Sequence, residues 1–393
     1  MAIRDVLDNK RILIFGYGRE GKSTETYIKN HVNFKSLDVF EGKIEDIDED
    51  KYDIIIKSPG IVMLEHNDKY SSQTELFINE YHDQIVGITG TKGKSTTSAM
   101  LAHTLSECGK NAILLGNIGK PCFDMIDEIS DDTIVVFELS CHQLLHIDRA
   151  PHIAVFLNLF EEHLDYYGTM DKYFGAKANI ISHQNAFDIA YIGENVPEIS
   201  SDTEKHIISS IEHDFNLSIP GEHNKLNAEF VFRIAVDEFG CDIKDAIEAI
   251  NSYKGLPHRL EYFAEINGVK YYDDSISTIP EAAISAAISI PNAKTIIVGG
   301  MDRGIDYDIL VDFIKEREDI LFILCYATGE RIYKEVKERS NCIMTEDLHS
   351  AVKVAKDKTA SGNACVLSPA APSYGYFKNF EDRGNQFKEM VKA

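Results

Sequence analysis

The chain has 393 residues, and its 64 acidic against 40 basic side chains leave a formal net charge of −24. That balance excludes a nucleic-acid backbone as the main partner, because such binding is driven by basic patches that release counterions. A composition 44% hydrophobic and 26% charged excludes disorder and fibrous repeats, and the length exceeds one ordinary core, so three domains are expected. The cysteines at 108, 122, 141, 241, 325, 342 and 365 are odd in number and form no C-x-x-C pair. They read as reduced thiols of a cytoplasmic protein, and their spacing argues against a zinc site. The amino terminus lacks the apolar core and cleavage site of a signal peptide, and no run reaches ~18 apolar residues, so no membrane contact is expected.

In chain order, RILIFG, KSLDVF and YDIIIKSPG read as strands of a first unit closing near residue 84. IVGITG, NAILLG, TIVVFELS and HIAVFLNL continue as a second sheet, and residues 185 to 220 read as a short structural excursion with little chemistry. GEHNKLNAEFVFRIAVDEFG has helical spacing with a Gly stop, and DIKDAIEAINSY follows as a second helix. YFAEINGVKYYDD predicts a hairpin about Asn267-Gly268. TIIVGG, ILFILCYATG and ACVLSPAAP then alternate with helical stretches. Strands alternating with helices predict α/β domains on parallel sheets, with boundaries near 84/85 and 255/256: domains 1–84, 85–255 and 256–393.

Two phosphate loops compete. Gly16, Gly18 and Gly21 in RILIFGYGREGKST spell the dinucleotide fingerprint G-x-G-x-x-G, and Gly16 to Ser23 also satisfy the triphosphate pattern G-x-x-x-x-G-K-S. GITGTKGKSTT, at 87 to 97, fails that spacing but can wrap phosphate between Gly90 and Gly93, reach it with Lys94 and offer Ser95 and Thr96 to Mg2+. Its company decides the matter. Triphosphate chemistry needs metal ligands at neighbouring strand ends, and this region supplies Glu138 and His163, whereas nothing comparable follows the first loop.

GTKGKST, GNIGKP, FELSCHQL, NLFEEHLDYYG, the lysine of FGAKANI, GEHNKLNA and GLPHRLE occur in that order, and together they resemble the Mur ligases, ATP-dependent amide-forming enzymes of peptidoglycan precursor synthesis. The resemblance implies a Rossmann-like first domain that binds the uridine diphosphate sugar, a central P-loop ATPase-like domain and a Rossmann-like third domain. GYGREG with SPGI, and the ending LSPAAPSYGYFKNFEDRGNQF, point to the glutamate-adding branch, whose substrates are UDP-N-acetylmuramoyl-L-alanine and D-glutamate.

Carried onto this chain, the resemblance places Gly18, Gly21, Ser58, Pro59 and Gly60 at the sugar nucleotide's phosphates, and Asn117, Ser140 and Gln143 on the rest of it. Gly90, Thr91, Gly93, Lys94, Ser95 and Thr96 would hold ATP, with Asn224 and Asn227 on its adenine side and Arg259 and Asp274 reaching it from the third domain. Ser95 and Glu138 would take one Mg2+, and His163 with a carbamylated Lys177 a second. Thr278, Arg303, Ser373 and Phe380 would face the amino acid. A monomer is expected. Ile276 stands where the family commonly has lysine, as does Arg303, so L-glutamate or another amino acid stays open, as does a nucleotide-binding paralogue without ligase turnover.

Overall fold

The computed structural model describes residues 2–63, 65, 67–219 and 221–393. The chain divides into two compact units, residues 1–216 with 223–251, and residues 217–222 with 252–393.

The first unit holds two sheets. Strands β1 (Arg11–Phe15), β2 (Ser36–Phe40), β3 (Ile54–Lys57) and β4 (Tyr70–Ser71) form a parallel sheet in the order β2-β1-β3-β4. Strands β5 (Ile85–Thr89), β6 (Ala112–Gly116), β7 (Ile134–Glu138), β8 (Ile153–Phe156), β9 (Ile189–Gly193) and β10 (Glu204–Ile208) form a second, also parallel, in the order β10-β9-β8-β5-β7-β6. Such strands are buried on both faces, which is why RILIF, IVGIT and IAVF read as apolar runs without alternation. One apolar core runs through both sheets, from Ile12 and Ile14 through Phe77, Phe137 and Phe156 to Ile180. Phe77 meets Phe137 edge to face with ring centroids 5.4 Å apart.

Residues 185 to 220 are less of an excursion than their sequence suggests. They supply β9 and β10, which extend the second sheet beyond β8. The edge strand EKHII buries little of its surface, so its composition carries no strand signature.

In the second unit, β11 (Glu261–Ile266), β12 (Val269–Asp273), β13 (Ala293–Gly299), β14 (Leu321–Cys325), β15 (Cys342–Thr345) and β16 (Ala364–Leu367) order as β11-β12-β16-β13-β14-β15. The β11–β12 pair is antiparallel and the rest are parallel. The pair turns at Asn267 and Gly268 with φ of 53° and 75°, the two positive values that an Asn-Gly turn of this hairpin type requires.

A charge that the sequence does not single out lies at this unit's centre. Arg383, on the helix Phe380–Lys392, is 1% exposed and donates to Ser275 O at 2.7 Å, Ser275 Oγ at 3.0 Å and Ala371 O at 3.0 Å. Burial lowers its pKa to about 10. Arg383→Met strands these buried acceptors, and we expect a loss of about 3 kcal/mol in stability. Urea unfolding followed by far-UV circular dichroism checks this; an unchanged midpoint for the second unit's transition would contradict it.

Candidate active site

Both phosphate loops stand at carboxyl ends of parallel strands, where α/β sheets bind ligands. The first turns between β1 and the helix Arg19–His31. Gly16 has φ 91°, and Ser58 Oγ, just after β3, donates to Gly16 O at 2.9 Å. A Cβ at Gly21 would lie 2.1 Å from Gly16 O, so this glycine serves the close approach of helix to turn. A Cβ at Gly18 meets nothing within 4 Å. A cavity of about 400 Å³ opens there, lined by Gly16, Gly18, Ser58, Pro59, Gly60 and Asn117, among others. Gly21 lies beneath the turn and does not line it.

The second loop follows β5, the strand between β8 and β7, and leads into the helix Lys94–Glu107. Gly90 and Gly93 have φ of 155° and 85°. A Cβ at Gly93 would stand 2.8 Å from Asn227 Oδ1, and Asn227 Nδ2 donates to Asn224 Oδ1 at 3.0 Å, so the helix Glu222–Arg233 packs Asn227 against the loop with Asn224 behind it. Thr91 is buried, its hydroxyl 3.2 Å from Tyr173 OH and accepting from Phe160 N at 2.9 Å. Ser95 and Thr96 are half-buried in the first turn of the helix. A cavity of about 640 Å³, a size suited to a nucleotide, is walled by Lys92, Gly93, Asn158 and Asn227 together with Gly193, Asn195 and Ser209 from the ends of β9 and β10. The stretch that the sequence left without chemistry thus builds one wall of this cavity.

Two lysines converge on one carbonyl. Lys94 Nζ donates to Gly90 O at 2.9 Å and Thr91 O at 3.0 Å, and Lys177 Nζ donates to Gly90 O at 2.8 Å. Lys177 is 1% exposed on the helix Met170–Ser182. Burial, then the neighbouring Lys94 charge, brings its pKa down to about 7. Burial lowers that of Lys94 as well. Glu138, fully buried at the end of β7, accepts from Asn117 Nδ2 at 2.7 Å through Oε1, while Oε2 has no hydrogen-bond partner. A buried carboxylate oxygen without a donor is costly, and it suits a cation.

His163 caps the short helix Leu164–Tyr167 with a left-handed φ of 57° and is exposed. A cavity of about 370 Å³ is lined by Lys94, His163, Lys177, Ser140, Asn117, Pro59 and Gly60. It shares Pro59, Gly60 and Asn117 with the first loop's cavity, so the two cavities adjoin. Ser140 and Gln143 form a capping box, Ser140 N donating to Gln143 Oε1 at 2.9 Å, and Gln143 Nε2 donates to Glu20 Oε1 at 2.9 Å. Cys141, His142, Glu162 and Tyr173 line the same space and carried no sequence signal beyond their neighbours'.

In the second unit, Asp274 accepts from Leu260 N at 3.2 Å and from Ser368 Oγ at 2.7 Å. Exposed Arg259 lies between His258 and Leu260, residues with positive φ of 63° and 44°. Arg303 Nη2 donates to Thr278 O at 3.1 Å, which brings those two together. Ser373 lies buried in the turn after β16, its carbonyl accepting from Phe377 N at 3.0 Å, and Phe380 O accepts from Ser275 Oγ at 2.8 Å.

Residues 88–205 match the Mur ligase middle domain family. The chain is 30% identical, over 95% of its length and 90% of the relative's, to a protein of Acetivibrio thermocellus named UDP-N-acetylmuramoylalanine--D-glutamate ligase. Its fold is similar to that of the UDP-N-acetylmuramate-alanine ligase of Thermotoga maritima, at 17% identity and a TM-score of 0.60 over 98% of this chain and 99% of that one. It is also similar to the MurF ligase of Thermotoga maritima solved in complex with ADP, at 17% identity and a TM-score of 0.58 over 99% and 96%.

Burial raises the Asp274 pKa to about 7, against the hydrogen bond from Ser368. The folded state therefore holds this proton more tightly than the unfolded chain. The resulting stability is fully present below about pH 4 and is lost as pH rises through about 7. Asp274→Asn lacks that loss and gains stability relative to the parent over this range. Urea midpoints measured at a series of pH values check it, and parallel pH profiles for the two proteins would contradict it.

Proposed function

This chain belongs to the Mur ligase family, and on that premise we propose that it is the ATP-dependent ligase that joins D-glutamate to UDP-N-acetylmuramoyl-L-alanine in peptidoglycan precursor synthesis. The observation that carries the reading is that the cavity of the first loop adjoins the one lined by Lys94, with Pro59, Gly60 and Asn117 common to both. A sugar nucleotide whose diphosphate lies at Gly18 can extend its alanyl end toward Lys94. No helix among the described residues is long and apolar enough to cross a membrane.

The chemistry follows from what a carboxylate lacks. It is a poor acyl donor, so its oxygen first takes the γ-phosphoryl group of ATP, with ADP leaving. The glutamate amine then attacks the carbonyl carbon, and the bond to the phosphate oxygen breaks as the amide forms. Lys94, at the loop's amides, neutralises charge on the moving phosphoryl group, the kind of preorganised electrostatic help that dominates such transfers. Asn117 orients Glu138 and bridges toward the sugar nucleotide.

The unpartnered Oε2 of Glu138 suits a cation, and with Ser95 it would hold one Mg2+, while His163 and a carbamylated Lys177, which line one cavity, would hold a second. Bound there, the ions would supply further neutralisation of the phosphates. An amine whose pKa is near 7 is in part uncharged at neutral pH and so able to add CO2, and the resulting carbamate is an anion suited to a metal. Thr278 and Arg303 would face one carboxylate of the amino acid, with Ser373 and the Phe380 backbone at the other. Arg259 and Asp274 would serve ATP. A guanidinium at 303 suits a dicarboxylate by its planar fork, and Ile276 leaves the charge there to Arg303.

Phosphate release tests this directly. We expect it to require both UDP-N-acetylmuramoyl-L-alanine and D-glutamate, with L-glutamate and other amino acids inactive; release with no amino acid, or with L-glutamate in preference, would overturn the assignment. In the same assay Lys177→Ala should lose activity and regain part of it with added formate or acetate. Full activity without the added carboxylate would remove the carbamate from the account.

A further inference from the structure

The tetrapeptide Ser140-Cys141-His142-Gln143 puts a thiol and an imidazole in the cavity that also holds His163. One ligand atom from each of Cys141, His142 and His163 lies within 4.8 Å of the other two. The His142 and His163 rings stand edge to face with centroids 5.3 Å apart, and Tyr167 OH lies 3.2 Å from His142 Nδ1, the kind of outer contact that fixes a ligating ring. Cys141 is 2% exposed, while His163 is open to solvent, so the set combines a fixed inner donor with an accessible outer one. No C-x-x-C spacing announces it, because two ligands are adjacent and the third arrives from the loop after β8.

Hard Mg2+ favours oxygen donors, whereas thiolate with two imidazoles is the donor set of Zn2+ and Co2+. We propose that Cys141, His142 and His163 form a binding site for a soft divalent cation, of which Zn2+ is the type, inside the candidate active-site cavity. Binding displaces the Cys141 thiol proton to solvent and forms a sulfur–metal bond, leaving a fourth position for water or a substrate oxygen. The ligand spread closes onto one ion by rotation of the exposed His163. Binding itself stands on this geometry alone. Its inhibitory consequence rests on the proposed function, since it takes His163 away from the second Mg2+ and so makes Zn2+ an inhibitor.

Two other clusters, His82 with His152 and Asp188, and His258 with Glu261 and Asp273, contain no thiol. A sulfur-specific signal therefore separates them from this site. Co2+ titrated alone into the full chain under reducing, anaerobic conditions should give a thiolate-to-cobalt charge-transfer band saturating at one equivalent and bleached by Zn2+. Cys141→Ser should lack the band while keeping the parent's circular dichroism, and His142→Gln should weaken Co2+ binding by roughly tenfold or more. Should Cys141→Ser fail to fold, the His142→Gln titration decides alone. No band in the parent, a band that survives in Cys141→Ser, or unchanged affinity in His142→Gln would overturn the site. In the phosphate-release assay with excess Mg2+, Zn2+ should inhibit the parent at roughly tenfold lower concentration than His142→Gln. A chain that shows the cobalt band but no ligase turnover refutes the proposed function and leaves the metal site standing.

Discussion

One backbone carbonyl, that of Gly90, accepts hydrogen bonds from two lysines, and the site is built outward from it. Glycine is required there, since φ of 155° is closed to other side chains. The carbonyl sits at the end of β5, between β7 and β8, so Glu138 and Asn158 arrive beside it from the neighbouring strand ends. Burial first, and then repulsion from the Lys94 ammonium on the same acceptor, bring the Lys177 pKa down to about 7. Burial beside a second lysine thus sets the protonation of the residue on which the carbamate reading depends.

The same geometry separates the two phosphate loops. The first has strand, turn and glycines, and among the described residues no candidate metal cluster lines its own cavity, which is built from Gly16, Gly18, Ser58, Pro59 and Gly60 with Arg19 and Glu20. The second has a buried carboxylate with an unpartnered oxygen and two lysines. A consensus pattern records spacing along one segment, whereas triphosphate chemistry is a property of several strand ends brought together by the sheet.

Much of the fold was legible because parallel strands buried on both faces are uninterrupted apolar runs, and because Asn267-Gly268 leaves few turn geometries open. β9 and β10 were less so. Residues 204–208 form a polar edge strand, and only its pairing with β9 makes it part of the cavity wall. Arg383 was invisible for a different reason: in sequence it is one more charge on an amphipathic helix, and only the carbonyls of Ser275 and Ala371, 108 and 12 residues away, make it a buried linchpin. Cys141 and His142 lie between Ser140 and Gln143, which the resemblance assigns to the substrate, and their convergence with His163 depends on a loop after another strand. Lys177 became a candidate through resemblance alone, since no local pattern marks one helical lysine as buried.

The central claim is a division of labour, diphosphate at the first loop and triphosphate at the second. Calorimetry of UDP-N-acetylmuramoyl-L-alanine and of a non-hydrolysable ATP analogue, each titrated into Gly18→Val and Lys94→Ala, tests it most directly. A side chain at position 18 enters open space, so the first variant should fold, lose the sugar nucleotide and keep the ATP analogue; Lys94→Ala should do the reverse. Gly18→Val that still binds the sugar nucleotide as tightly as the parent, or loses only the ATP analogue, would contradict the account.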